Sequence, residues 1–282
     1  MNPYFLRART DCKIRPTEVL SESLRVESNL TPQPLHQDRS LYLDLLKRCL
    51  LNLIYPEAEA AYVSGGPLDS RMRLEGRDWP PFAHTMIGWL RLDSLQQCAE
   101  TALRDNVPGD FLEAGVWRGG AAILLRGVLM AHAITDRRVW LADSFAGLPP
   151  PDHIHYPADA GLNLHQFPQL AVSQDAVRAN FARYGLLNEQ VMFLPGWFRE
   201  TLPAAPVQQL ALLRLDADLY ESTIDALTHL YPKVSPGGFV IIDDYGLVAA
   251  CRQAVTDYRR AHSIEEPIVP IDWTGVYWRR TH

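Results

Sequence analysis

Apolar positions change their spacing near residue 109, and the change divides the chain. Residues 1–37 are polar, proline-containing and without sustained periodicity, which predicts a mobile arm or a segment packed on a partner. Over residues 39–55 apolar side chains fall at helical spacing (Leu41, Leu45, Leu46, Leu50, Leu53, Ile54), so an amphipathic helix is expected there, covering the core or a dimer contact. Residues 64–81, rich in Gly, Pro, Asp and Arg, read as a long surface loop, and a second helix is expected over about 84–104. Beyond it, short apolar runs alternate with helical stretches. Strands are expected at 110–116, 138–143, 191–195, 210–216 and 238–243, and helices at 120–133, 173–184 and 222–231. That alternation implies crossover connections and a parallel sheet covered on both faces. Residues 268–271 and 276–279, around Thr274-Gly275, predict a closing hairpin at the sheet edge. The proline-rich insertion 149–169 is too long for an ordinary connection and suggests a lid. The expected organisation is an arm (1–37), a helical and lid region (38–108) and an α/β core (109–282).

Composition narrows the class. The 282 residues are 47% hydrophobic and 21% charged, a globular balance, and the formal net charge is −6. No apolar run reaches the roughly 18–20 residues that span a bilayer, and the first residues lack a signal-peptide apolar region, so a cytoplasmic chain without membrane attachment is expected. Only Lys13, Lys47 and Lys233 are lysines, and without a basic run an acidic chain is a poor nucleic-acid binder. Cys12, Cys49, Cys98 and Cys251 are scattered, which suggests neither a zinc site nor a disulfide framework. Cys251, on a helical pattern, reads as a small buried apolar residue.

The informative residues stand at strand ends, where doubly wound sheets bind ligands. Glu113-Ala114-Gly115-Val116-Trp117-Arg118-Gly119-Gly120 runs from a strand into a helix, a turn suited to a nucleotide-like ligand or to tight packing alone. It is not the G-x-G-x-x-G fingerprint, because Trp117 occupies the second glycine position. Asp143, ending the next strand, suits ribose hydroxyls or a helix N-cap, and the glycine turn before it favours the ribose. Asp216 and Asp218 follow one strand, and Asp243 and Asp244 the next. On neighbouring strands about 4.8 Å apart, Asp216, Asp243 and Asp244 converge. Clustered carboxylates repel unless a cation neutralises them, and oxygen-only ligands favour Mg²⁺, or else Ca²⁺ or Mn²⁺. Otherwise they are separate caps on a solvated edge. His153, His155 and His165 sit in the expected lid without an acidic motif. His84 reads as a pocket or a satisfied buried histidine, and Trp79, Trp197, Trp273 and Trp278 read as core, any one of them able to pack on a substrate ring.

From about Ser40 to Arg280 the sequence resembles the macrocin O-methyltransferase (TylF-like) family. The motifs are Ala83 to Gly88, Glu113 to Gly120, Ala142-Asp143-Ser144-Phe145, Pro195-Gly196-Trp197-Phe198, Arg214 to Tyr220, Ile242 to Gly246 and Asp272 to Arg279. The resemblance implies a class I methyltransferase (Rossmann-like) fold of seven strands, six of them parallel and the last antiparallel. It implies S-adenosylmethionine and Mg²⁺ as cofactors, a sugar or polyol hydroxyl of a natural product as acceptor, and a homodimer or larger homo-oligomer. On the matching residues, it implies that Glu113, Gly115, Val116, Trp117, Arg118, Gly119 and Gly120 cradle the cofactor and Asp143 holds its ribose. Ser144 and Phe145 would flank the adenosine, and Thr85 and Met86 would close over the methionine end. Asp216, Asp243 and Asp244 would bind the metal, and Asp218 would act as general base. Competing readings are a catechol-type O-methyltransferase, a nicotinamide-dependent oxidoreductase, a cofactor-binding protein without catalysis and a metal-dependent hydrolase.

Overall fold

The computed structural model describes residues 34–55 and 69–282, with side chains from residue 37 onward. The expected arm, except for its last residues, therefore lies outside the described residues, as does the first part of the expected loop 64–81.

Seven strands form one sheet in the order β3-β2-β1-β4-β5-β7-β6: β1 (Asp110–Ala114), β2 (Val139–Asp143), β3 (Val191–Pro195), β4 (Leu210–Leu215), β5 (Val234–Ile242), β6 (Val269–Pro270) and β7 (Val276–Arg279). The pairs among β1 to β5 are parallel, and β7 runs antiparallel to β5 and β6. The strand order reverses between β1 and β4, the crevice where such sheets receive ligands.

Alternation along the strands feeds two cores. Phe111, Leu141, Leu212 and Ile241 face one layer, with α1 (Pro34–Leu50), α3 (Gly88–Arg104), α4 (Gly120–Ala131) and α5 (Gln174–Arg183). Leu112, Trp140, Leu213, Val240, Ile242 and Trp278 face the other, with α7 (Tyr220–Leu230) and α8 (Ala249–Ala261). Two short helices, α2 (Ser70–Leu74) and α6 (Phe198–Thr201), complete the set.

Some elements differ from expectation. The segment 69–81 is not a surface loop: Asp69 caps α2, and Arg73, Asp78 and Trp79 are buried. Arg73 donates to Asp78 at 2.7 Å and to the Leu51 carbonyl at 2.7 Å, and this pairing carries polar residues inside. α1 begins earlier than its apolar pattern, within the expected arm, and Leu41 and Leu45 are 63% and 55% exposed, not core-facing. α3 starts at Gly88 because residues 84–87 form a loop docked on Gly120, whose N–H donates to His84 O at 3.0 Å. The lid region is built of short 3-10 turns, and in it Asp159 and Leu162 are buried.

Candidate active site

The carboxyl ends of β1, β2, β4 and β5 open into one cleft. Gly115, Trp117, Asp143 and Ser144 line one end, and Asp216, Asp218, Asp243 and Asp244 the other. Met86, Leu162, Leu164, Trp197 and Trp273 belong to its walls. The expected core assignment therefore holds for Trp278; Trp79 is buried but also lines the cleft, and Trp197 and Trp273 are only partly covered and face it.

The glycine turn is shaped first by packing. Gly115 has φ +84°, and a Cβ there would stand 1.8 Å from the Asp216 carbonyl oxygen. A Cβ at Gly120 would stand 2.4 Å from His84 O. Gly119 (φ +84°) is buried beside Val177. The two glycines at 115 and 120 thus let β4 and the 84–87 loop close against β1 and α4. Trp117, with φ +45°, faces the cleft, and its indole N–H donates to Gln169 O at 2.9 Å. Arg118 turns away, donating to Ala83 O at 2.8 Å and lying over the Trp117 ring.

Asp143 binds the turn to its own strand end. Its carboxylate accepts from Val116 N–H and Phe145 N–H, each at 2.7 Å. Burial raises its pKa, and these backbone donors oppose the rise. A carboxylate has about four lone-pair sites, so acceptor capacity remains for a ligand diol. Ser144 Oγ donates to Gly147 O at 2.6 Å. Phe145 (φ +54°) rests on Phe193, and neither it nor Thr85, Val116, Arg118, Gly119, Gly120 or Glu113 lines the cleft. Thr85 is buried and caps Ile87 N–H at 3.4 Å. His84 is a satisfied histidine: it shares a 2.7 Å hydrogen bond with Tyr184 OH, and burial aided by Arg118 and Arg183 lowers its pKa to about 4.

At the other end, Asp216, Asp218 and Asp244 each bring an oxygen within 4.8 Å of the others, the carboxylate group suited to a cation among the described residues. Asp218 sits at φ +54° in a turn closed by Leu219 N–H donating to Ala217 O at 2.6 Å, and its own N–H donates to Asp244 Oδ2 at 3.1 Å. Aspartate tolerates this left-handed conformation better than most non-glycine residues. Burial, then its acidic neighbours, raise Asp218 to about 8 and Asp216 to about 6, and they hold Asp244 well above the ordinary carboxylate range. A hard divalent cation fits these oxygens, since its charge would offset both the burial and the mutual repulsion that raise them.

Asp243 stands apart from that trio. Its oxygens accept from Arg91 and Arg214, both buried. Ile241 pairs with Arg214, so by period-two alternation Asp243 and Asp216, each two residues on, share the face of Arg214 and Glu113, and what sets Asp243 apart is that it accepts from both arginines while Asp216 accepts from Arg214 alone. Glu113, opposite Arg214 in the β1–β4 register, accepts from Arg214 NH1 at 2.5 Å, and burial raises its pKa to about 8 against that guanidinium. Arg91 also donates to Asp272 at 3.0 Å, and Thr274 Oγ1 donates to Asp243 O at 2.9 Å, so the β6–β7 hairpin locks the acidic strand end. The arginine pair was missed in the sequence reading. Its signal is a charge inside each of two adjacent apolar strands, Glu113 and Arg214. His153 and His155 are exposed, His155 pairs with Asp152 at 2.6 Å, and none of the three lid histidines lines the cleft.

Comparisons with known proteins agree with this geometry. The family described as Macrocin-O-methyltransferase (TylF) matches residues 39–280. The 8-demethyl-8-(2,3-dimethoxy-alpha-L-rhamnosyl)-tetracenomycin-C 4'-O-methyltransferase of Streptomyces olivaceus is 58% identical over 245 residues, 86% of this chain and 94% of that protein. The mycinamicin III 3''-O-methyltransferase of Micromonospora griseorubida is 54% identical, covering 86% and 96%. The solved structure of the O-methyltransferase NovP superimposes with a TM-score of 0.83 at 52% identity, covering 87% of this chain and all of that one. The expected class I methyltransferase fold is thereby borne out, and the chain belongs to the macrocin O-methyltransferase (TylF) family as an S-adenosylmethionine-dependent O-methyltransferase.

Proposed function

We propose that this enzyme moves the methyl group of S-adenosylmethionine onto a hydroxyl of a sugar carried by a natural product, with a divalent cation such as Mg²⁺ at the acidic end of the cleft. The observation that carries the reading is the single cleft with Asp143 and the glycine turn at one end and the Asp216, Asp218 and Asp244 oxygens at the other. The relatives support the acceptor class, since one is named for a rhamnosylated tetracenomycin acceptor.

Asp143 would accept the ribose hydroxyls while its bonds to Val116 and Phe145 fix the loops around it. Asp216 and Asp244 would hold the cation. Asp243 as third ligand would free one oxygen from a guanidinium, and Asp218 is then the carboxylate left to take the hydroxyl proton. When bound, the cation supplies the charge that lowers the pKa of the acceptor hydroxyl and stabilises the forming alkoxide. Proton removal by a positioned carboxylate contributes about 10²–10⁴-fold. Arg214 and Arg91 hold the acids against their mutual repulsion, and the lid and Trp197 wall exclude water.

A homodimer or larger homo-oligomer and a cytoplasmic setting belong to the same proposal. The exposed Leu41 and Leu45 on α1 support the former. The free Cys49, Cys98 and Cys251, together with the lack of any described helix long and apolar enough to cross a membrane, support the latter. The net charge of −6 speaks against a nucleic-acid partner. The test is to incubate the purified enzyme with methyl-labelled S-adenosylmethionine, Mg²⁺ and a glycoside panel that includes the rhamnosylated tetracenomycin. Label on a sugar oxygen supports the reading, whereas label only on an aromatic diol turns it to a catechol-type acceptor.

A further inference from the structure

Helix α7 begins just after the acidic turn, and its N-cap residue, Leu219, offers no side-chain acceptor for the free N–H groups. The acceptor comes instead from the lid. Asp159, wholly buried, takes Tyr220 N–H at 2.6 Å and Glu221 N–H at 3.1 Å, across about sixty residues of sequence. Leu162, beside it in the lid, is buried and lines the cleft, and Tyr156 lies against the Tyr220 ring at 6.0 Å. The other end of the lid is tied to the cofactor side, through Gln169 O to the Trp117 indole and through Phe167 against Trp79.

Resting on the reading above, we propose that Asp159 is a positioning residue for methyl transfer. By capping α7 from the lid it holds the lid and the Asp216–Asp218 turn in one register, so that the acceptor pocket is assembled from both. The lid then spans the cleft as a strap, with Trp117 at the cofactor end and Asp159 at the acid end. A carboxylate at a helix N-terminus is favoured by the free N–H groups and the helix dipole together. The strap therefore has a fixed anchor at the end where the acceptor must be aligned.

The experiment uses the full chain with Asp159→Ala and Asp159→Asn, in three measurements. Hydrogen exchange is followed over residues 156–162 and at the amides of Tyr220 and Glu221. S-adenosylmethionine affinity is measured by calorimetry, and KM and kcat are measured with the rhamnosylated tetracenomycin as probe. Expected for Asp159→Ala are exchange and acceptor KM each raised about tenfold, the size of a lost cap, with cofactor Kd within about twofold of wild type. Asp159→Asn keeps one carbonyl acceptor and is expected to recover most of the KM. Unchanged lid exchange and KM in Asp159→Ala would overturn the proposal. So would parallel losses of cofactor affinity and thermal stability without a specific rise in KM, which mark a merely structural residue. If wild type turns over no glycoside, the acceptor reading fails by itself, and the exchange and cofactor measurements still decide whether Asp159 is the tether.

Discussion

Replacing Arg214 by Met removes one guanidinium from a buried group of four acids and two arginines. Arg214 faces Glu113, Asp216 and Asp243, while Arg91 faces Asp243 and Asp272. Each charge-assisted bond contributes about 1.5–3 kcal/mol net, but three lost bonds do not add fully, because Met restores apolar contact and the acids can take up protons. The expected loss is about 3–5 kcal/mol, the cost of breaking a buried pair by removing one partner. The pH dependence follows from Glu113, which burial raises to about 8 and which Arg214 pulls down. An acid whose folded pKa lies above its unfolded value binds more protons in the folded state between the two, so stability falls as pH rises through that window. Without Arg214 the window extends upward, and because a folded pKa of about 8 already covers most of the interval, Glu113 is expected to make the penalty larger at pH 8.5 than at pH 6.5 by up to about 0.8 kcal/mol. Urea denaturation followed by circular dichroism at both pH values measures this. A loss under about 1 kcal/mol at both, or one that shrinks as pH rises, would refute the reasoning.

Three further outcomes are expected. Gly115→Ala combines a left-handed backbone with a Cβ 1.8 Å from Asp216 O, so thermal unfolding should show a loss of about 2–4 kcal/mol, and Mg²⁺ affinity should fall because Asp216 must shift. Asp143→Ala should weaken S-adenosylmethionine at least tenfold (about 1.4 kcal/mol) by calorimetry, and unchanged affinity would move the ribose elsewhere. Asp218→Asn should lower kcat by about 10²–10⁴ while leaving cofactor affinity near wild type; an active variant would remove the base from Asp218.

The parts of the fold that the sequence displayed are those whose apolar runs end at marked residues. β3 closes on Pro195 and β7 starts after Gly275, and both match their expected bounds. α8 was noticed only at Cys251, although its buried residues Ala250, Cys251, Ala254, Val255 and Tyr258 recur at helical spacing and were legible in the sequence. The segment after Asp69 was misread since Arg73 and Asp78 look like surface residues until their mutual pairing is known. At the site, adjacency of the acid-bearing strand ends was legible, as Leu215 pairs with Ile242. Two things were not. Asp218, at positive φ, turns its backbone N–H to the Asp244 carboxylate, and Asp243 is taken up by both Arg91 and Arg214. The role of Asp159 was hidden because its partners are backbone groups some sixty residues away.

The most direct test of the account is calorimetric titration of Mg²⁺ into chelator-treated enzyme, for wild type and Asp244→Asn, with methyl transfer followed in parallel. The account predicts one Mg²⁺ per chain, binding lost in the variant, and transfer to the sugar hydroxyl that rises with occupancy. Full transfer in the presence of chelator, or Mg²⁺ binding that survives Asp244→Asn unchanged, would contradict it.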